Sequence, residues 1–209
     1  MAIPVLIIGK SGSGKSASLR NFKEEDLDII NVIGKPLPFK NNFKTFNSDN
    51  YDKIRKAIDK SQKDIMVIDD AGYLLTNEFM RKHSQFSSGN AVYTMYNNLA
   101  DNFWSLIEYI KNNKNEKKIV YIIMHEEKDE DGDLRPKTVG KLLDNTVCIE
   151  GLFTIVLRCA SEKNRHFFLT QTDGRDVVKT PIGMFSETEI DNDLKIVDET
   201  IRQFYNMEG

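Results

Sequence analysis

The chain has 209 residues, 40% apolar and 29% charged, with a formal net charge of −3. That length suits one domain, residues 1–209, able to bury a core without disulfide or metal staples, and the charge excludes polyanion binding by bulk attraction, leaving only local basic patches for nucleic acid. No apolar run approaches membrane-spanning length, and Ile3–Ile8 is too short and too broken by Pro4 to be a leader, so a cytoplasmic protein with no membrane partner is expected.

In chain order, "VLIIG" (Val5–Gly9) predicts a buried strand, Lys15–Phe22 the first helix and "DIINVIG" (Asp28–Gly34) a second strand. Pro36 and Pro38 bar "KPLPFK" from a helix interior, and Phe43–Asn47 reads as a short edge strand. "SDNYDKIRKAID" predicts a helix capped by Ser48 or Asp49, with Tyr51, Ile54, Ala57 and Ile58 on one face. "DIMVIDDAGYLL" (Asp64–Leu75) predicts a strand ending in two carboxylates, and Glu78–Asn90 a polar connection. Ala91–Asn113 carries Met95, Leu99, Phe103, Ile107 and Ile110 near helical spacing. "KKIVYIIMHEE" predicts another buried strand and Lys128–Asp144 a charged, mobile loop. Val147–Cys159 and Arg165–Thr172 read as later strands, and Ser186–Met207 as a closing helix with a Ser186/Glu189 capping box. Strands alternating with helices predict a mostly parallel central sheet flanked by helices.

Cys148 and Cys159 lack zinc spacing and lie in apolar runs, so both are expected as buried free thiols in a reducing compartment. His83, His125 and His166 are scattered and do not pair with them as metal ligands.

The chemistry begins at "LIIGKSGSGKSASLR". Gly9, Gly14, Lys15 and Ser16 satisfy G-x-x-x-x-G-K-[ST] between an apolar strand and a helical stretch, the context a phosphate loop requires. Glycines let backbone N–H groups turn inward onto phosphates, and a helix N-terminus adds its positive end. Lys15 is expected to bridge the β- and γ-phosphates of ATP, and Ser16 to ligate Mg²⁺. Lys10, Ser11, Gly12, Ser13 and Ala17 complete the nucleotide-binding segment. At Lys10 the pattern is open, and a solvated lysine is the simpler reading.

"IMVIDD" places Asp69 and Asp70 at a strand end. A strand parallel and adjacent to the first would bring them beside the phosphate loop, at the carboxyl edge where ligands bind. Asp69 is expected to hold Mg²⁺, directly or through its water, and Asp70 to orient or deprotonate the attacking water. Two solvated aspartates at a turn are the bland alternative. Glu78 is the reserve for water activation.

Beyond these motifs, the chain resembles a P-loop ATPase core of the AAA/RecA type, and is especially similar to small phage-encoded RecA-like ATPases described as single-strand annealing or recombination proteins. "NVIGKPLPFK", "TVGKLLDNTVCIEGLFTIVL" and "KTPIGMF…NDLKIVDETIRQFY" carry that likeness across most of the chain. The resemblance implies an α/β P-loop NTPase fold, ATP and Mg²⁺ as cofactors, a homo-oligomer and single-stranded DNA as partner, with a single-strand binding protein or another replication partner as a further candidate. It places His125, at the end of "YIIMH", where such cores put a residue that senses the γ-phosphate. It also aligns Glu126–Val139 with a loop that touches DNA, so Arg135, Lys137 and Lys141 become candidates for DNA or a neighbouring subunit's nucleotide, although "EEKDEDGD" is acidic. The sequence departs from the pattern in one respect. RecA-like cores carry a catalytic glutamate at the end of the strand after the phosphate-loop helix, and "DIINVIG" has no acid there.

A second basic region, Lys35, Lys40, Lys44, Lys53, Arg55, Lys56, Lys60 and Lys63, interleaves with Phe39, Phe43 and Phe46. It reads either as a stacking groove for bases or as a solvated helix face over core phenylalanines. Three functions share the nucleotide site: a DNA-linked ATPase, a nucleotide-gated loader or scaffold with little hydrolysis, and a small-molecule nucleotide kinase. The kinase fits least, because Arg135 is the lone arginine of its candidate lid.

Overall fold

The computed structural model describes residues 1–86 and 89–207. Its centre is a parallel sheet built from the most apolar stretches: β1 (Ile3–Gly9), β2 (Leu27–Asn31), β3 (Thr45–Asn47), β4 (Ile65–Asp69) and β5 (Ile119–Lys128). β7 (Ile155–Glu162) continues it in parallel beside β1, and β8 (Arg165–Leu169) and β9 (Glu189–Asp191) extend it antiparallel. The spatial order is β3-β2-β4-β5-β1-β7-β8-β9, with β6 (Leu134–Pro136) off this path and paired with β5. The expected α/β class, a mostly parallel sheet flanked by helices, is the one observed.

Side chains alternate across the sheet and fill two cores. On one face Leu6, Ile8, Met66, Ile68, Val120 and Ile122 pack against α1 (Tyr51–Lys60), α2 (Gly72–Lys82) and α3 (Asn90–Lys111). On the other, Val5, Ile7, Val67, Tyr121 and Ile123 pack against Leu19, Phe22 and α5 (Leu194–Phe204). The buried Tyr121 hydroxyl donates to Asp198 of α5 at 2.8 Å, so the apolar contact carries a satisfied polar one.

Several expectations are corrected. The segment after the phosphate loop is a short 3₁₀ helix, Ser16–Asn21, not an α-helix through Phe22. Its macrodipole is correspondingly small, and anion binding falls to the loop N–H groups and Lys15. β4 stops at Asp69 and α2 begins at Gly72, inside the stretch expected as strand and polar connection. Gly72 and the polar Thr76, Asn77 and Glu78 hide that helix, whose buried face is Leu74, Leu75 and Glu78. The rest of that connection includes Ser87 and Ser88, which lie outside the described residues. Asn50, not Ser48 or Asp49, caps α1 by accepting from the Lys53 N–H. Asp193 caps α5, while Glu189 of the supposed capping box belongs to β9. The charged Lys128–Asp144 stretch contains a hairpin, β5–β6, pairing Glu127 with Arg135, and then α4 (Lys141–Asp144). Strand structure within Val147–Cys159 begins only at Ile155, and Cys148 is exposed in the turn before it, whereas Cys159 is buried as expected.

The strand carrying Asp69 is not adjacent to β1. β5 lies between them, with Ile119–Ile122 paired on one side to Ile65–Ile68 and Ile119–His125 on the other to Ile3–Gly9. β1 and β4 therefore end at one edge, at Gly9 and Asp69, flanking His125 of β5, which runs on to Lys128.

Candidate functional site

The phosphate loop turns tightly between β1 and the 3₁₀ helix, with Gly12 and Gly14 at φ of 78° and 103°, where residues with a Cβ are strained. Gly9 is required for a different reason. A Cβ there would lie 2.5 Å from the Cys159 carbonyl oxygen and 2.6 Å from the Ser13 hydroxyl. Backbone and a buried short side chain cannot yield, so Gly9→Ala is expected to destabilise the fold by about 1–3 kcal/mol, seen as a lowered denaturant midpoint. An unchanged midpoint would show that the loop is not packed against β7 in this way.

Lys15 is buried, and its ammonium donates back to the carbonyls of Gly9 at 2.8 Å and Lys10 at 2.7 Å. Burial lowers its pKa, against the pull of nearby Cys159, Asp70 and Asp69. Ser18 donates to the Lys15 carbonyl at 2.6 Å and steadies the loop's exit. The underside rests on the β7–β8 hairpin. His166 Nδ1 lies 2.8 Å from the Ser13 carbonyl, which only accepts, so Nδ1 carries the proton in this contact. Cys159 donates to the same carbonyl at 3.0 Å, and burial pushes its thiol up to about 11, keeping the donor hydrogen in place.

Across a cleft of about 370 Å³ stand the two aspartates. Ser16 Oγ donates to Asp69 at 2.9 Å, joining the loop to the end of β4. Asp69 is raised above the ordinary carboxylate value, first by burial and then by the charge of Asp70. Asp70 sits at φ 58° in the turn into α2. Burial pushes its carboxyl up, but hydrogen bonds from His125 and Lys35 outweigh burial and hold it below the ordinary value. Lys35 reaches Asp70 at 3.0 Å and His125 Nε2 at 3.5 Å. Burial and neighbouring charges thus drive the two adjacent carboxylates apart, Asp69 upward and Asp70 downward.

The donor set suits Mg²⁺, which takes one or two protein oxygens and completes its shell with phosphate and water. Ser16 Oγ and the Asp69 carboxylate are two such oxygens on one wall of the cleft. Among the described residues no cluster of three or more His, Cys, Asp or Glu makes a protein-only metal site.

The cleft thus gathers Ser11, Gly12, Gly14, Lys15, Ser16 and Ala17 with Asp69, Asp70 and His125. Glu78 is elsewhere: it is buried in α2 and accepts from Lys82 at 2.6 Å and Asn102 at 2.8 Å. The candidates for DNA or subunit contact also stand apart. Arg135 is bonded to Asp144 at 2.7 Å and Lys141 to Glu130, while Lys137 follows β6 and donates its backbone N–H to His125 at 2.7 Å. The cleft adds Lys35 and His166, which in the sequence stand only in a basic region and among scattered histidines. The signal for Lys35 was local. Asn31 ends β2 opposite Asp69, at the position lacking the expected glutamate. Its side chain accepts from the Gly34 N–H at 2.8 Å and donates to the Lys35 carbonyl at 2.6 Å, shaping the turn that presents Lys35.

A family model for an AAA domain matches residues 1–182. The chain belongs to the AAA domain family. A KaiC-like protein from the hyperthermophilic archaeon Pyrococcus horikoshii OT3, known from a crystal structure, aligns with this AAA domain over 80% of the present chain and 78% of its own, at 12% identity and a TM-score of 0.43. No curated protein sequence matches the chain. The family match covers every residue of the cleft, from Ser11 to His166, and ends before β9 and α5.

Proposed function

We propose that this AAA domain binds ATP with Mg²⁺ and hydrolyses it, and that it does so on single-stranded DNA as a homo-oligomer in strand annealing or recombination. The observation that carries the hydrolytic reading is the Ser16–Asp69 hydrogen bond, because it joins the phosphate loop to a buried carboxylate at the distance a shared metal site needs. Lys15 holds the β- and γ-phosphate oxygens, exchanging its two loop carbonyls for them. Asp70 orients the attacking water and accepts its proton. His125, within 3.5 Å of Asp70 and three residues before the end of the central strand, registers the γ-phosphate. When bound, Mg²⁺ neutralises charge on the phosphoryl oxygens. The DNA partner, the phage kinship and the recombination role rest on the resemblance of the sequence segments quoted above.

One observation favours a second reading, a nucleotide-gated loader or scaffold for a replication partner such as a single-strand binding protein. Asp70 is engaged by both Lys35 and His125, and a carboxylate held below its ordinary value is a weak base. Slow basal turnover follows from that geometry. A kinase is disfavoured, since Arg135 of the candidate lid is bonded to Asp144.

ATP turnover measured with and without single-stranded DNA, beside a screen of nucleoside monophosphate acceptors, separates these. Severalfold stimulation by DNA is expected. Binding without turnover in either condition supports the scaffold, and phosphoryl transfer to a monophosphate overturns both readings.

A further inference from the structure

The basic region noted in the sequence divides in the structure. Lys35 serves Asp70, Lys63 bonds Asp28 at 3.0 Å, Arg55 bonds Asp52 at 3.1 Å, and Phe39 and Phe43 pack edge to face beside the core. What remains is a groove of about 450 Å³ between the β2–β3 edge and α1, whose lining shares no residue with the cleft. Lys53, Lys56 and Lys60 line its helical wall, and Lys44 and Phe46 its strand wall. The spacing of the three α1 lysines puts them on one helix face, over about 10 Å at 1.5 Å rise per residue, while Ile54 and Ile58 hold the opposite face in the core.

We propose that this groove binds single-stranded nucleic acid, with the α1 lysines tracking phosphates and Phe46 stacking a base. Two observations select that occupant. Lys53, Lys56 and Lys60 are exposed and form no ion pair among the described residues, and Lys44 meets only Glu24, at 3.4 Å with its side chain 91% exposed. The one acid in the lining, Asp28, is already neutralised by Lys63. The trough therefore presents uncompensated positive charge along its helical wall, with the exposed Lys44 opposite, over an apolar floor that includes Ile30, Ala57 and Met66. Phe46 is the second observation. It is 44% exposed on a three-residue edge strand, though Phe39 and Phe43 a few residues earlier are packed away. An acidic peptide would need the lysines but not an open aromatic face, whereas every nucleobase offers a plane to stack on. This inference rests on the proposed action on single-stranded DNA and gives that action an address other than Arg135, Lys137 and Lys141.

The test is fluorescence anisotropy of a labelled oligo-dT strand across a salt series, with ATP analogue present. The wild-type chain is compared with K53Q/K56Q/K60Q, F46A, and R135A/K141A as control, each checked for fold by circular dichroism. Removing three phosphate contacts should flatten the log–log salt slope by about two. F46A should weaken binding about tenfold while leaving the slope intact. R135A/K141A should bind as wild type does. If wild type binds while the lysine and Phe46 variants match it, the groove is overturned and DNA action survives. If F46A binds normally and an acidic peptide competes with the oligonucleotide, the groove is a protein-docking surface and the nucleic-acid assignment falls. If wild type binds no strand at all, both fall.

Discussion

Lys15→Ala is expected to lower the proposed ATP turnover by about 100- to 1,000-fold, the usual cost of losing a preorganised donor to developing phosphoryl charge, while the protein stays folded. The second half of that expectation follows from the contacts of the ammonium. It bonds the carbonyls of Gly9 and Lys10, of which the latter is only part-buried, so water can reach where the side chain is removed. The measurement pairs steady-state turnover and ATP-analogue binding with thermal unfolding. A folded Lys15→Ala protein with wild-type turnover would remove the loop from catalysis. Lys15→Arg does not rescue, because a planar guanidinium cannot fit the pocket that a compact ammonium occupies between two backbone carbonyls.

Asp69→Asn is expected to reduce Mg²⁺-dependent turnover by a similar 100-fold or so, and its pH dependence carries the sharper signature. The folded Asp69 carboxyl is raised above the ordinary 3.8, so on the acid side a proton competes with the cation for it. Metal affinity rises as pH climbs through that raised value. Lys15 is lowered below 10.5, so its charge is lost earlier than usual on the alkaline side. The profile of kcat/KM, which reports groups of the free protein, should be a bell whose acid limb belongs to Asp69 and whose alkaline limb belongs to Lys15. Asp69→Asn removes the acid limb and leaves the alkaline one. An acid limb that persists unchanged assigns it to another group and takes Asp69 out of the metal site. Sign also separates Asp70. Its folded value is depressed, so it adds stability above the ordinary carboxylate value that is lost as pH falls through the depressed one.

The phosphate loop and the Asp69 strand end were legible because each is a local pattern whose chemistry fixes residue type and spacing. The long amphipathic α3 was equally plain, and its buried Met95, Leu99, Phe103, Ile107 and Ile110 are those its periodicity marked. What escaped was relational. Nothing in "IMVIDD" says that β5 slips between it and β1, since strand order is decided by which faces bury which helices. Lys35 looked like one cation among eight until the Asn31 turn aimed it at Asp70. His166 lies 153 positions from the Ser13 carbonyl it supports, a contact only the β7–β8 hairpin creates. The missed α2 and the misplaced α5 cap have a local cause: glycine and short polar residues serve helix starts, turns and strand ends alike.

The seating of Gly9, Asp69 and His125 on three neighbouring strands gives the ligand a role in cohesion. The strands come from widely separated parts of the chain, and the cleft exists only once they lie in register. A molecule held by all three binds the assembled sheet and has nothing to grip in the open chain, so occupancy is conformational ballast. At one hundred times its dissociation constant such a ligand adds about 2.7 kcal/mol to the folded state. If the proposed nucleotide is that molecule, the robustness of this domain is indexed to the nucleotide supply around it and is no fixed property of the polypeptide.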